Sequence, residues 1–353
     1  MIIVMKPHVT DRQVADVKEH VSELGYEPRV IRGVEHTVVA AVGDELSHRS
    51  LEILKQMPTI ERVVPIQKRY KLASREFHAA NSVVRIGSSE IGGGQFQVIA
   101  GPCSVENRKQ LHRATADLVA AGVRVIRGGA YKPRTSPYDF QGLGEEGIRM
   151  LEEMKREFGV AIVTEVVGTP FVQNVAKVAD MLQIGARNAQ NYHLLECVAE
   201  AGLPVLLKRG MASTIEEWLS AAEYLMVHGC ENVVLCERGI RTFETATRNT
   251  LDISAVAIAK QETHLPVIVD PSHAAGSHEL VLPLAKAAIA AGADGLLIEA
   301  HPNPVEALSD APQQLSSGRF RDVIQELEPF LKAAGKALPA PLAADGAPAG
   351  AAC

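Results

Sequence analysis

Four side chains that bind metals in proteins lie at or just beyond short aliphatic runs in this sequence. Cys103 follows QVIAGP, His273 follows PVIVDPS, Glu299 follows GLLI, and Asp310 lies in the next loop. A thiol, an imidazole and two carboxylates suit a borderline divalent ion (Mn, Fe, Co or Zn) better than Mg or Ca. Read singly, Cys103 is more readily a small buried residue and His273 a helix cap, but the four residues together favour a metal site. We rank four other histidines lower as ligands: His193, His264, His278 and His301.

Cationic residues gather at the ends of the same kind of run. Arginine pairs bidentately with phosphate and carboxylate oxygens, so several such residues predict substrates with more than one anionic group. Acidic residues at neighbouring ends are the alternative partners. Thr135 and Ser136 have two readings, as hydroxyl donors to a phosphate or as caps of a helix near Glu145. The cations are Arg127, Lys132, Arg134, Arg187, Lys208, Arg209 and Arg238.

Positioning these side chains requires a fold that brings distant segments to one rim. Eight aliphatic runs alternate with stretches of helical spacing such as 214–227, and such runs are typical of strands buried on both faces. Eight strand-helix units over roughly 250 residues predict a (β/α)8 TIM barrel, whose active site lies at the carboxyl ends of the strands. The runs are QVIAGPC, VRVIRGGAYKPR, AIVTEV, MLQIGAR, PVLLKRG, NVVLCERG, PVIVDPSH and GLLIEAHP.

Residues 1–66 show a different order, which predicts a small ferredoxin-like α+β domain. MIIVMK, PRVIRG, HTVVAAVG and IERVVPI are predicted strands. A predicted helix spans 10–24, capped by Thr10 or Asp11, and a second helix spans 46–57. The resulting order is β-α-β-β-α-β.

The remaining segments complete the predicted organisation. Residues 67–95 form a polar connector, whose second half has the pattern of a strand pair that plugs the lower end of the barrel. The barrel spans 96–335. Residues 336–353 are rich in Ala, Pro and Gly, which predicts a disordered tail.

Composition narrows the class of protein. The chain has 353 residues, is 46% hydrophobic and 4% aromatic, and carries a net charge of −6, so nothing indicates nucleic acid or an acidic membrane surface. Five cysteines without a CxxC pair argue against a disulfide framework and for a reducing compartment. No segment has the pattern of a secretory signal or a membrane span. We expect a cytoplasmic protein.

Seven motifs together resemble 3-deoxy-D-arabino-heptulosonate 7-phosphate (DAHP) synthase. The chain is similar to the class I subtype with a ferredoxin-like regulatory domain, and the resemblance covers all but the tail. That family condenses phosphoenolpyruvate with erythrose 4-phosphate in the first step of the shikimate pathway, which leads to chorismate and the aromatic amino acids. The motifs are AGPCSVEN, RGGAYKPRTSPYDFQGLG, QIGARNAQN, LLKRGM, CERG, DPSHAAG, and GLLIEAHPNP with SDAPQQL.

The resemblance implies roles for individual residues. Cys103, His273, Glu299 and Asp310 would hold the metal, and Glu165 would orient the water that is attacked into the product. Lys132 would lie near both substrates and act as a proton donor. Arg134, Thr135 and Ser136 would bind the erythrose phosphate. The phosphoenolpyruvate site would consist of Arg127, Lys132, Ala186, Arg187, Lys208 and Arg238.

Other functions remain open from sequence. The chief alternative is 3-deoxy-D-manno-octulosonate 8-phosphate synthase, which uses arabinose 5-phosphate; its second loop usually reads like KANRS, whereas this chain has KPRTS at 132–136. A Schiff-base aldolase would use Lys208 as nucleophile. A ligand sensor would use the barrel only as a scaffold.

Residues 1–66 would carry the regulation. The family resemblance implies tyrosine or phenylalanine as an allosteric inhibitor and a homotetramer as the assembly. A fused chorismate mutase module is excluded, because that module is all helical and this segment contains four predicted strands.

Overall fold

The structure is a computed structural model that describes residues 1–33, 36–43, 49–64, 69–134 and 136–340. The chain divides into two compact units, Met1–Arg69 and a second unit that begins at Tyr70.

The amino-terminal unit contains an antiparallel sheet with strand order β2-β3-β1-β4. Aliphatic residues of the sheet, of the helix α1 and of a 3-10 helix form one core. This confirms the predicted ferredoxin-like fold. Its elements are β1 (Ile2–Met5), α1 (Asp11–Glu23), β2 (Glu27–Arg32), β3 (Thr37–Val42), a 3-10 helix (Leu51–Gln56) and β4 (Ile60–Val64).

The predicted bounds of the first helix agree closely with the observed ones, whereas those of the second helix do not. Thr10, not Asp11, caps α1, and a reciprocal bond between Gln13 Oε1 and the Thr10 backbone N completes a capping box. The second helix is shorter than the predicted 46–57 segment: it is a 3-10 helix that begins after the cap Ser50, and residues 46–48 lie outside the described residues. Pro58 follows its last turn, and the residue before a proline disfavours helical backbone.

Within the described part of the second unit, a hairpin precedes eight parallel strands that close into a barrel, because β14 pairs with both β7 and β13. Each predicted run is one of these strands, which confirms the TIM barrel. The hairpin is β5 (Val84–Ile86) and β6 (Ser89–Ile91). The barrel strands are β7 (Gln97–Gly101), β8 (Val125–Arg127), β9 (Ala161–Glu165), β10 (Met181–Ile184), β11 (Val205–Lys208), β12 (Val233–Glu237), β13 (Val267–Val269) and β14 (Gly295–His301).

Helices surround the barrel and bury their apolar faces against it. A short strand, β15 (Leu315–Ser316), extends β14. The helices are α2 (Arg108–Ala120), α3 (Glu145–Phe158), α4 (Val172–Ala176), α5 (Tyr192–Ala199), α6 (Ile215–Val227), α7 (Ile253–Glu262), α8 (Pro271–Ala275), α9 (Val281–Ala290) and α10 (Ser317–Ala333).

The hairpin of β5 and β6 closes one end of the barrel, as predicted. Val84, Ile86 and Ile91 form a core with interior residues of the strands, including Val125 and Met181 at strand starts. Because this end is filled by aliphatic side chains, the open end of the barrel is the one at the carboxyl ends of the strands.

The chain segments before and after the barrel are attached to it by hydrogen bonds. The backbone N atoms of Leu72 and Ala73 donate to the carboxylate of Glu223 on α6. Ala337 O accepts from Phe96 N at 2.9 Å, so the described part of the predicted tail pairs with the barrel. Residues 341–353 lie outside the described residues.

A candidate active site at the open end of the barrel

Cys103, His273, Glu299 and Asp310 meet at the carboxyl ends of the strands. One ligand atom from each lies within 4.8 Å of those of the others. Cys103 Sγ is 3.3 Å from Asp310 Oδ2, and His273 Nε2 is 3.4 Å from Glu299 Oε1. The four residues come from three strand ends and the loop after β14, which is the convergence that the barrel topology predicts.

The chemistry of this cluster fits a divalent cation. Burial, followed by the charge of Glu299, raises the pKa of the Cys103 thiol to about 12. Burial alone would also raise the pKa of Asp310, but His273, Arg248 and Lys132 outweigh it and lower that pKa. A thiol and two carboxylates packed this closely would be neutralised by a bound metal ion, and the mixed S, N and O set favours a borderline metal.

Asp270, to which sequence reasoning assigned no role, orients His273. Its Oδ2 lies 2.7 Å from His273 Nδ1, and its Oδ1 accepts from the His273 backbone N at 2.8 Å. The Nε2 atom of His273 is thereby directed at the cluster, an arrangement found around metal-binding histidines. Lys208 Nζ donates to the same Asp270 oxygen at 2.5 Å.

The lower-ranked histidines lie apart from the four-residue cluster found among the described residues. His193 and His278 are exposed. His264 bonds to the connector at Leu72 O. His301 Nε2 lies 3.4 Å from Glu106 Oε2, and its Nδ1 accepts from the Asn303 backbone N.

A cavity of about 360 Å³ opens beside the cluster and carries a strong excess of positive charge. Its acidic lining residues are Asp139, Glu165 and Asp310. This charge favours ligands with several anionic groups. The cations that line it are Arg127, Lys132, Arg134, Arg187, Lys208, Arg238, Arg241 and Arg248.

Lys132 and Arg127 connect the cavity with the metal-ligand cluster. Lys132 Nζ lies 3.1 Å from both the carbonyl O and the Sγ of Cys103. Arg127 Nη1 donates to Glu299 Oε1 at 2.6 Å, while Arg127 Nε is buried with no hydrogen-bond partner among the described residues. A buried donor of this kind is typical of a site that is completed by a ligand.

Arg209 does not join the cavity, although it was among the predicted anion-binding residues. Its Nη1 donates to Glu237 and Asp252, each at 2.9 Å, and its Nε donates to Ser213 O. The neighbouring Lys208 faces the cavity, because successive residues of a strand point to opposite sides. Arg209 therefore belongs to a buried ion-pair network outside the barrel interior.

Glu165 lies at the end of β9 and crosses over the next strand. Its Oε2 accepts from Gln183 Nε2 at 3.3 Å. A Cβ atom at Gly185 would lie 2.0 Å from Glu165 Oε1, so only glycine leaves room for this carboxylate. The glycine in QIGAR thus supports the position of Glu165 in the cavity wall.

The remaining predicted substrate residues differ in placement. Ala186 lines the cavity with Arg187. Thr135 lies outside the described residues. Ser136 is not among the lining residues, and its Oγ accepts from Tyr138 N within its own turn. It does not cap α3, whose cap position is Gly144.

Sequence reasoning missed several residues around the cluster. Arg241 and Arg248 lie in the loop after β12, whereas the predicted Arg238 directly follows the aliphatic run of that strand. Gln313 bonds to Glu299, Gln314 Oε1 accepts from the Cys103 backbone N, and Ser309 Oγ is 3.1 Å from Cys103 Sγ. Ser309, Gln313 and Gln314 belong to the motif SDAPQQL, which could have indicated them. Apart from Asp310, however, the side chains of that motif carry no charge.

Comparison with known proteins agrees with this geometry. The family model described as "DAHP synthetase I family" matches residues 76–333, and that of the "DAHP synthase ferredoxin-like domain" matches residues 1–68. Phospho-2-dehydro-3-deoxyheptonate aldolase of Thermotoga maritima is 48% identical over 335 residues, which cover 95% of this chain and 99% of that protein. A 2-dehydro-3-deoxyphosphooctonate aldolase of Acidithiobacillus ferrooxidans is 35% identical over 66% of this chain and 88% of its own length.

Solved structures of Thermotoga maritima proteins extend the likeness to three dimensions. The phospho-2-dehydro-3-deoxyheptonate aldolase (DAHP synthase) superposes with a TM-score of 0.91 at 47% identity, covering 96% of this chain and 99% of that one. A truncated 3-deoxy-D-arabino-heptulosonate 7-phosphate synthase superposes with a TM-score of 0.72 at 48% identity, covering 77% and 100%.

None of the described helices has the length and apolar character needed to cross a membrane. The barrel, the four-residue cluster, the cationic cavity and two matched family models lead to one assignment. The chain belongs to the DAHP synthetase I family and carries the ferredoxin-like domain of DAHP synthases at its amino terminus.

Proposed function

We propose that this protein is a 3-deoxy-7-phosphoheptulonate synthase, which condenses phosphoenolpyruvate with erythrose 4-phosphate and releases inorganic phosphate. This transferase reaction is the first step of the shikimate pathway toward chorismate and the aromatic amino acids. The observation that carries the proposal is a cavity lined by eight cations beside a buried Cys-His-Glu-Asp cluster. Two phosphates and one carboxylate are the anionic groups that such a cavity would have to bind.

Cys103, His273, Glu299 and Asp310 would hold a divalent Mn, Fe, Co or Zn ion. When bound, the ion supplies Lewis-acid polarisation of the aldehyde. Several borderline metals suit this set of one thiol, one imidazole and two carboxylates.

The cations divide between the two substrates. Arg127, Arg187, Lys208 and Arg238, with Ala186, would bind the phosphate and carboxylate of phosphoenolpyruvate. Fixed cations that need no rearrangement during the reaction stabilise the charge that develops in it. They also hold carbon three of phosphoenolpyruvate in line with the aldehyde carbon of erythrose 4-phosphate. Arg134, Thr135 and Ser136 would bind the phosphate of erythrose 4-phosphate.

Lys132 would hold a proton for the alkoxide that forms when carbon three of phosphoenolpyruvate attacks the aldehyde of erythrose 4-phosphate. Burial lowers its pKa, but the acidic groups of Cys103, Glu299 and Glu165 outweigh this and raise the pKa overall. The side chain is therefore a protonated donor in the neutral pH range.

Glu165 would accept a hydrogen bond from the water that adds to carbon two of phosphoenolpyruvate. Its carboxylate lines the cavity, and Gln183 Nε2 fixes one oxygen. Collapse of the resulting tetrahedral intermediate breaks the C–O bond and releases phosphate.

The contacts of Lys208 disfavour Schiff-base chemistry. A Schiff base needs a free amine, and Lys208 Nζ instead forms an ion pair with the buried Asp270 at 2.5 Å. Borohydride trapping in the presence of substrate should leave the activity of the protein unchanged.

Regulation would reside in the amino-terminal unit. We propose residues 1–66 as the regulatory domain, 67–95 as connector, 96–335 as catalytic barrel and 336–353 as tail. Tyrosine or phenylalanine is the proposed inhibitor and a homotetramer the proposed assembly, both on the family likeness. The free thiols Cys103, Cys197, Cys230 and Cys236 accord with a proposed cytoplasmic location.

The deciding experiment measures phosphate release from phosphoenolpyruvate with either erythrose 4-phosphate or arabinose 5-phosphate as acceptor. We expect turnover with erythrose 4-phosphate and little with arabinose 5-phosphate. The reverse preference would assign the octulosonate reaction instead. No release with either acceptor, in metal-loaded protein, would reject both.

A further inference from the structure

Gln313 lies between the two carboxylates of the metal-ligand cluster. Its Nε2 donates to Glu299 Oε2 at 2.5 Å and to Asp310 Oδ2 at 3.4 Å. The residue is 2% exposed, so water cannot easily replace these bonds. The neutral amide thus uses its two N–H groups to bind the carboxylates of Glu299 and Asp310, which carry like charges.

Arg248 determines which way the Gln313 amide faces. Arg248 Nη1 donates to Gln313 Oε1 at 2.9 Å. A guanidinium has only donors, so the atom that it contacts must be the amide oxygen. The amide nitrogen must then face the carboxylates. Without Arg248 the amide could turn and direct its oxygen at Glu299.

The backbone of Arg248 is attached to the helix that carries His273. Arg248 N donates to Ala275 O at 3.1 Å, and Asn249 N donates to Ala274 O at 2.9 Å. A Cβ atom at Gly276, whose φ is +71°, would lie 2.6 Å from Arg248 Cβ. The glycine of DPSHAAG therefore leaves space for Arg248.

Together, the two residues make their shorter contacts with one oxygen of each carboxylate. Arg248 Nη1 lies 3.2 Å from Asp310 Oδ1, and Gln313 holds Glu299 Oε2. The other two oxygens lie nearest the remaining ligands: Asp310 Oδ2 is 3.3 Å from Cys103 Sγ, and Glu299 Oε1 is 3.4 Å from His273 Nε2. Asp310 Oδ2 also has the long 3.4 Å contact with Gln313, and Glu299 Oε1 also accepts from Arg127 Nη1 at 2.6 Å. Asp310 has a φ of +51°, a backbone conformation that needs support from its surroundings.

We propose that Arg248 and Gln313 are positioning residues that make Glu299 and Asp310 each present a single oxygen to the metal. The inference rests on the metal site of the proposed function. A site with one oxygen per carboxylate has few ligands, which suits Co²⁺ or Zn²⁺, whereas Ca²⁺ needs six to eight oxygens and often takes carboxylates bidentately. The pair therefore sets affinity and also selectivity.

The test measures dissociation constants for Co²⁺ and Ca²⁺ in metal-free full-length protein, with Ca²⁺ followed by competition against Co²⁺. Gln313→Leu keeps the size of the side chain and removes the amide, and Arg248→Leu removes the guanidinium. We expect each variant to bind Co²⁺ about 10- to 100-fold more weakly, which is the usual effect of losing such an outer contact. Ca²⁺ binding should weaken less, and the visible spectrum of bound Co²⁺ should change.

Two comparisons separate positioning from general damage. Arg241→Leu removes the same charge from the same loop and cavity wall, and should leave the Co²⁺ dissociation constant within about twofold. The double variant should bind Co²⁺ no more weakly than whichever single variant has the larger dissociation constant, because the two residues act through one chain of bonds. Thermal unfolding of each metal-free variant checks its fold.

Wild-type Co²⁺ affinity in Arg248→Leu would overturn the inference, whatever Gln313→Leu does. Equal weakening toward Co²⁺ and Ca²⁺, or fully additive effects in the double variant, would also overturn it. None of these readouts needs turnover. Wild-type protein that binds Co²⁺ tightly but releases no phosphate would reject the proposed function and leave this test valid.

Discussion

Cys103 is the ligand whose replacement tests the metal centre most directly. Chelation should abolish phosphate release, and Mn²⁺, Co²⁺, Zn²⁺ or Fe²⁺ should restore it. Cys103→Ala removes the soft donor and should lower metal affinity and activity at least about 10-fold, as loss of one ligand of a small set implies. Equilibrium dialysis followed by metal analysis measures binding.

The matched control is Cys230→Ala, which removes another buried thiol outside the cluster. It should bind metal as the wild type does. Full activity in a verified metal-free preparation would refute the assignment.

Substitution of Arg134 or Arg187 should distinguish the binding site of erythrose 4-phosphate from that of phosphoenolpyruvate. Arg134 Nη1 donates to Ser309 Oγ at 2.6 Å, whereas Arg187 follows β10 on a different part of the cavity wall. Arg134→Ala should raise KM for erythrose 4-phosphate about 10-fold or more and change that for phosphoenolpyruvate less, since a charge-assisted bond contributes roughly 1.5–3 kcal/mol. Arg187→Ala should do the opposite. Steady-state kinetics that show equal effects on both substrates would contradict this division.

The junction between neighbouring strands β9 and β10 controls Glu165. Gly185→Ala would place a methyl group 2.0 Å from Glu165 Oε1, so the carboxylate must move. A displacement of about 1 Å can cost about 100-fold in rate, and we expect kcat to fall by that order. Gly168→Ala, whose added methyl group would make only ordinary contacts at 3.7 Å, is the control. Equal kcat in the two variants would count against a role for Glu165.

The connector is attached to the barrel through His264, which predicts a pH-dependent stability. His264 Nε2 lies 2.8 Å from Leu72 O, and Ser82 Oγ lies 2.7 Å from Nδ1. Burial, and then the positive charges of His78 and Arg75, lower its pKa below the usual 6.5 despite the bond to Leu72. Below about pH 6.5 the unfolded chain therefore binds a proton that the folded chain does not.

The free energy of unfolding should fall as the pH drops below about 6.5, by up to about 1.4 kcal/mol per pH unit from this group. His264→Gln should flatten that part of the curve, as measured by urea unfolding at several pH values. His193→Gln, which removes an exposed imidazole, is the control. A slope unchanged by His264→Gln would contradict the prediction.

The two compact units of the molecule predict separable catalysis and control. The cluster and the cavity consist of residues of the second unit, which begins at Tyr70. Tyr70 itself is buried and donates to Glu262 at 2.8 Å, so a truncation should retain it. Protein starting at Tyr70 should keep phosphate release near the full-length rate and lose inhibition by tyrosine or phenylalanine. A soluble truncation that is still inhibited would place the regulatory site in the barrel.

The sequence alone predicted the strands, the barrel and the four candidate ligands. Each strand is a continuous aliphatic run because both of its faces are buried, and parallel strands bring their carboxyl ends to one rim. Cys103, His273 and Glu299 could therefore be grouped from their positions at strand ends. The length of the second amino-terminal helix was less accurate, since helix ends depend on caps such as Ser50 and on the following proline.

Only the tertiary structure decided which polar side chains share a site. Arg209 directly follows β11, but it forms ion pairs with Glu237 and Asp252, whereas Arg248, in the loop after β12, contacts Asp310 and Gln313. The difference depends on which residues of distant segments lie within about 3 Å, and local patterns contain no information at that distance scale. The ligands follow from strand order, whereas the bonds that orient them follow from packing.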